Sequence, residues 1–115
     1  MAHVTRLTRR SASADRWLRS AVKRLVGRVH PEKVILFGSR ARGRPGEDSD
    51  FDLLVVLDQP PSKARRYELV DRAIGAHRWP LDLLVRRPEE IRSRLRMGDS
   101  FMRGILRRGR VLYES

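Results

Sequence analysis

The sequence predicts a mixed α/β (α+β) fold, a small β-sheet with helices packed on it. Three observations predict it. Val34 to Phe37 and Leu53 to Leu57 are short, wholly apolar and partly β-branched runs, the pattern of buried strands. Apolar residues recur every three or four positions from Ala14 to Val29 and from Ala64 to His77, the pattern of amphipathic helices. The segments run helix, strand, strand, helix, strand, helix, helix, strand, an order that suits a mixed sheet covered by helices.

Each element has its own signals. The first helix carries Ala14, Trp17, Leu18, Ala21, Val22, Leu25, Val26 and Val29 on one stripe, with Pro31 just past its end. Residues 1–13 show no such stripe and are expected to form a flexible N-terminus, with 14–115 as a single domain. The strand Val34–Phe37 ends at Gly38-Ser39, and Arg40-Ala41-Arg42 suits a short helical turn. Residues 43–49 contain Pro45-Gly46 and read as a loop before the second strand, Phe51 to Leu57.

Ser62 is placed to cap a helix whose inward face is Ala64, Tyr67, Val70, Ala73, Ile74 and His77. Leu81 to Val85 is the third strand. Pro88 suits a first helical position, and Glu89 and Glu90 suit the positive end of the helix dipole. That helix should bury Ile91 and Leu95 and stop at Gly98. Asp99 or Ser100 caps the last helix, through Phe101, Ile105 and Leu106 to Gly109. Val111 to Tyr113 is expected as an edge strand.

The composition narrows the chemistry. The chain has 115 residues, one domain's worth, and no cysteine, so disulfides, thiolate metal sites and thiol nucleophiles are excluded. The longest apolar runs, four and five residues, are too short to span a bilayer, and a cytoplasmic location is the expectation. The net charge is +12, and the basic residues are almost all arginine. Such a charge favours anionic partners such as nucleotides, RNA or an acidic protein face, although the excess is spread along the chain and also suits a GC-rich coding bias.

Three features carry chemistry. Gly38-Ser39 follows a buried strand and precedes a turn. Free N–H groups at such a start attract anions, and glycine lets a phosphate approach the main chain. Asp50 and Asp52 flank Phe51, and alternate residues of a strand share one face. Two adjacent carboxylates repel unless a cation neutralises them, and Mg²⁺ is a natural occupant. Glu47 and Asp48 nearby leave a solvated acidic loop equally open. Asp82 is a carboxylate within the apolar run Leu81–Val85. It either pairs with an arginine such as Arg86 or Arg87, or faces Asp50 and Asp52 if its strand lies beside theirs.

Together these features resemble a known family. The string Gly38-Ser39-Arg40-Ala41-Arg42-Gly43, with ten residues between Ser39 and Asp50-Phe51-Asp52, is similar to the signature of the DNA polymerase β-like nucleotidyltransferase superfamily. Ser49 to Val55 is similar to its minimal nucleotidyltransferase branch, with Asp82 and the ending Gly109 to Glu114 matching more loosely.

The resemblance implies a nucleotidyltransferase fold that transfers a nucleoside monophosphate from ATP or another NTP. It implies that Gly38 and Ser39 bind the triphosphate and that Asp50, Asp52 and Asp82 hold two Mg²⁺ ions, with Asp82 serving the ion that activates the acceptor. Arg40 and Arg42 flank the turn, and guanidinium forks suit phosphate oxygens or a solvated helix face equally. Members of this branch are often partnered with a small helical HEPN protein, as antitoxin and toxin. The resemblance therefore implies an antitoxin that adenylylates such a partner; the alternative is a non-catalytic antitoxin that acts by complex formation alone. RNA binding rests on charge alone, without a helix-turn-helix, RNP or zinc pattern. His77, Trp17, Trp79 and Tyr113 read as packing residues, and seven aromatics without a cluster give no single-strand platform.

Overall fold

The computed structural model describes residues 9–41 and 50–115, with side chains from residue 12 onward. The expected loop at 43–49 and Arg42 lie outside the described residues, as do residues 1–8 of the expected flexible N-terminus. The element order is α1 (Arg9–Val29), β1 (Lys33–Phe37), β2 (Phe51–Val56), α2 (Lys63–Ile74), β3 (Leu81–Arg86), α3 (Pro88–Arg96), α4 (Ser100–Arg108) and β4 (Arg110–Glu114).

The strands of the described residues form one mixed sheet in the order β3-β2-β1-β4. β1 pairs antiparallel with both β2 and β4, while β2 and β3 run parallel. Alternation along each strand divides the apolar residues between two faces. Leu53 and Val55 of β2 and Val34 and Leu36 of β1 join Ala14, Leu18, Leu25, Val70 and Ile74 under α1 and α2. Leu54 and Val56 of β2 and Ile35 of β1 join Ile91, Met102 and Ile105 under α3 and α4. The sheet is thus buried on both faces, which is why β2 reads as a continuous apolar run rather than an alternating one. Each fully buried Leu, Val or Phe of this core contributes about 1.5–3 kcal/mol relative to an exposed position.

Several local expectations meet a different outcome. α1 begins at Arg9, ahead of its apolar stripe, because the helix continues through polar residues that carry no periodic mark. α2 is capped by Ser62, whose hydroxyl accepts from the Arg65 N–H at 3.3 Å. Its inward face, however, is Arg66, Val70, Ala73 and Ile74, while Ala64 and Tyr67 are exposed and His77 lies beyond the helix end. Arg66 is only 3% exposed and donates to the carbonyls of Pro60 (2.9 Å) and Pro61 (2.6 Å). Pro60 and Pro61 have no N–H of their own, and the Arg66 guanidinium supplies donors to their carbonyls from the helix.

The later helices agree more closely. In α3 the Glu90 carboxylate accepts from the Arg87 N–H at 2.8 Å, and Gly98, at φ 78°, closes the segment. In α4 Asp99 is the cap, accepting from the Met102 N–H at 3.0 Å. Met102 and Ile105 are the buried residues of α4, whereas Phe101 is 58% exposed.

Candidate active site

Strand pairing assembles the site. The antiparallel β1–β2 pair sets the end of β1 beside the start of β2, with Phe37 opposite Asp52. The parallel β2–β3 pair sets the start of β3 at the same end, with Asp82 opposite Asp52. Residues in direct register share a face. Phe37, Asp52 and Asp82 therefore form a row across three strands, on the face that carries Ile35, Leu54 and Leu84 under α3 and α4.

The carboxylates sense one another. Asp50 and Asp82 are exposed and Asp52 is half-buried. The Asp52 carboxyl is raised above its ordinary value, first by burial, then by the charges of Asp82 and Asp50 and a side-chain hydrogen bond with Asp82. Arg86 and Arg87 have other partners: Arg87 Nε donates to Asp58 at 3.0 Å, and Arg86 donates to the Val85 carbonyl at 3.0 Å. Among the described residues, no three His, Cys, Asp or Glu side chains are already drawn together as a cage for a metal ion. The donor set is nonetheless hard oxygen, and its mutual repulsion is the kind a divalent cation relieves.

Gly38 joins the turn to this row. Its φ is 78°, the left-handed region, and a Cβ there would run into the Asp52 carboxylate. Two independent constraints, backbone and close approach, thus require glycine. The turn closes with the Ala41 N–H donating to the Gly38 carbonyl at 3.2 Å, with Ser39 inside the turn.

The Arg40 guanidinium lies 4.1 Å above the centre of the Phe51 ring, and Phe51 belongs to the cluster under α1 and α2. The structure brings Gly38, Asp52 and Asp82 to one end of the sheet, with Ser39 in the adjoining turn, Asp50 just ahead of β2 and Arg40 against the Phe51 ring.

The aromatic residues also form a cluster that linear order conceals. Trp17 packs on Phe51 (5.7 Å) and Trp79 (6.0 Å), and its Nε1 donates to the Ala76 carbonyl at 3.2 Å. His77 sits edge-on to Trp17 and pairs with Asp71 at 3.1 Å, so it is a packing residue. A cleft of about 720 Å³ opens between α1 and β4 around Val22, Val26, Leu112 and Tyr113, away from the carboxylates.

The structure thus sets a strand-to-turn glycine beside neighbouring carboxylates at one end of the sheet. This chain belongs to the nucleotidyltransferase domain family, whose model matches residues 15–111. It is 34% identical over 87 residues to a Methanocaldococcus jannaschii protein named putative protein adenylyltransferase MJ0604, covering 76% of this chain and 81% of that one. Its fold matches a crystal structure described as a putative nucleotidyltransferase from Sulfolobus solfataricus, with a TM-score of 0.65 and 21% identity over 97% of this chain and 93% of the other. It also matches a chain of a toxin–antitoxin structure with AMP-PNP, with a TM-score of 0.56 and 21% identity over 84% and 73% of the two chains. The protein is a nucleotidyltransferase.

Proposed function

We propose that this nucleotidyltransferase moves AMP from ATP onto a partner protein, a small helical toxin of the HEPN type, and thereby acts as its antitoxin. The row of Asp50, Asp52 and Asp82 beside Gly38 carries the reading, because a purely structural strand end gains nothing from three mutually repelling carboxylates. The relative named as a protein adenylyltransferase supports the acceptor class, and the toxin–antitoxin neighbour with AMP-PNP supports the partner and the nucleotide.

In this reading Gly38 and Ser39 hold the triphosphate with main-chain N–H groups and the Ser39 hydroxyl. Arg40, stacked on Phe51, braces the turn from the other side of the sheet, and Arg42 is a candidate phosphate contact. Asp50, Asp52 and Asp82 are the candidate Mg²⁺ ligands, and bound Mg²⁺ would supply charge neutralisation and a lowered pKa for the acceptor hydroxyl. Asp82, exposed at the start of β3, holds that hydroxyl and receives its proton. The hydroxyl oxygen forms its bond to the α-phosphorus as the bond to the β-phosphate's bridging oxygen breaks, and pyrophosphate leaves. Positioning and charge do the rest of the work.

The test combines ATP labelled on its α-phosphate, Mg²⁺, the chain and the protein encoded beside it. Wild type should label the partner and Asp50→Asn should not, with rate loss of at least about a hundredfold, the scale of removing one electrostatic contributor. A tight complex without label would mean an antitoxin that acts by binding alone.

A further inference from the structure

The row of carboxylates is not the end of the site. Beside Gly38, a cleft of about 170 Å³ opens between the end of β1 and α4. Phe37, Gly38, Ser100, Phe101, Gly104 and Arg108 are among the residues that line it. Its volume corresponds to about five or six water molecules, the scale of one flat heterocycle.

Two features of the cleft stand out: the exposed ring of Phe101 and the glycine inside α4. Phe101 leaves 58% of its surface exposed on a helix whose buried residues are Met102 and Ile105. Its ring is held nonetheless, because Phe37 meets it edge-on at 5.9 Å and 81°. Gly104 sits inside α4, where glycine costs about 0.5–1 kcal/mol relative to alanine. A Cβ at Gly104 would come within 3.0 Å of the Arg108 guanidinium, so the missing side chain is the space over which that guanidinium lies. The result is an exposed, propped aromatic ring and a cation on the two sides of a gap in the helix surface, next to the glycine of the phosphate-binding turn.

We infer that Phe101 is the platform on which the base of the nucleotide substrate stacks, with Gly104 keeping the cleft open and Arg108 flanking the base. This rests on the nucleotidyl-transfer reading and extends it to how the nucleoside is held. An aromatic face takes any base, so Phe101 supplies affinity, and choice among bases falls to polar groups at the rim such as Ser100 and Arg108. Triphosphate on Gly38-Ser39 and base on Phe101 would lay the nucleotide along β1 and leave the Asp82 side open to the acceptor.

The experiment measures the affinity of the whole chain, with Mg²⁺, for AMP-PNP and for inorganic tripolyphosphate by calorimetry. Phe101→Ala should weaken AMP-PNP about tenfold (about 1.4 kcal/mol) and leave tripolyphosphate unchanged, while Phe101→Tyr should bind both like wild type. Gly104→Val, which fills the cleft, should show the same selective loss. Unchanged AMP-PNP affinity in Phe101→Ala would overturn the platform while the transfer reading stands. Equal loss of both ligands would overturn it too, marking Phe101 as structural. A wild-type chain that binds neither ligand would remove the transfer reading and the platform together.

Discussion

Asp52 and Gly38 form a pair in which each constrains the other. Asp52 lies half-buried between two further carboxylates, and its pKa is raised above the ordinary 3.8. From 3.8 upward the unfolded chain has released a proton that the folded chain retains, so stability falls as pH rises through this window, and the whole cost is present above the raised value. Urea unfolding at a series of pH values without metal should show that fall in wild type and a flatter profile in Asp52→Asn, which should also be the more stable form at neutral pH. Added Mg²⁺ should raise the stability of wild type more than that of the variant, since a ligand of the folded state stabilises it by mass action. Gly38→Ala should act in the opposite direction. It forces a side chain into φ 78° and into the Asp52 carboxylate, so a loss of about 1–3 kcal/mol is expected in thermal unfolding, with transfer activity falling as Asp52 is displaced.

Among the elements, the helices show both the reach and the limits of sequence patterns. The stop signals Gly98 and Gly109 and the cap at Ser62 were readable because each depends on its own few residues. The inward face of α2 was readable at Val70, Ala73 and Ile74 but not at Arg66, which is held by the carbonyls of Pro60 and Pro61, a contact that a hydrophobic pattern does not register. Nor was the outward turn of Phe101, since an aromatic at helical spacing reads as core until a helix is seen to pack by its neighbours Met102 and Ile105. α4 offers a direct test. Asp99 accepts the Met102 N–H and anchors the helix that carries the cleft wall. Asp99→Ala should lower stability by about 1 kcal/mol in denaturant unfolding and, by loosening α4, weaken AMP-PNP more than tripolyphosphate.

For the whole molecule, charge and layering set the terms of function. A net charge of +12 on 115 residues should draw triphosphates and acidic partner faces in from a distance. The rate of ATP association should therefore fall steeply as salt is raised toward about 0.1 M, where the screening length is about 10 Å, while dissociation changes little; stopped-flow mixing with a fluorescent ATP analogue measures both. No helix of the described residues is long and apolar enough to cross a membrane. Helices on both faces of the sheet bury its middle and leave Asp50 and Asp82 exposed at one strand end.

The sequence by itself determined the elements and the chemical parts. Buried strands, capped helices, a Gly-Ser turn and three aspartates are local patterns, and local patterns are written in spacing. Tertiary structure decided what meets what. Antiparallel and parallel pairing on either side of β2 brought Gly38, Asp52 and Asp82 to one end, and two-sided burial chose which face they share. The same packing turned Arg40 toward Phe51 and set Phe101 beside Phe37, contacts between residues far apart in the chain that no periodicity encodes. Burial and strand register are properties of neighbours in space, and only the folded chain supplies those neighbours.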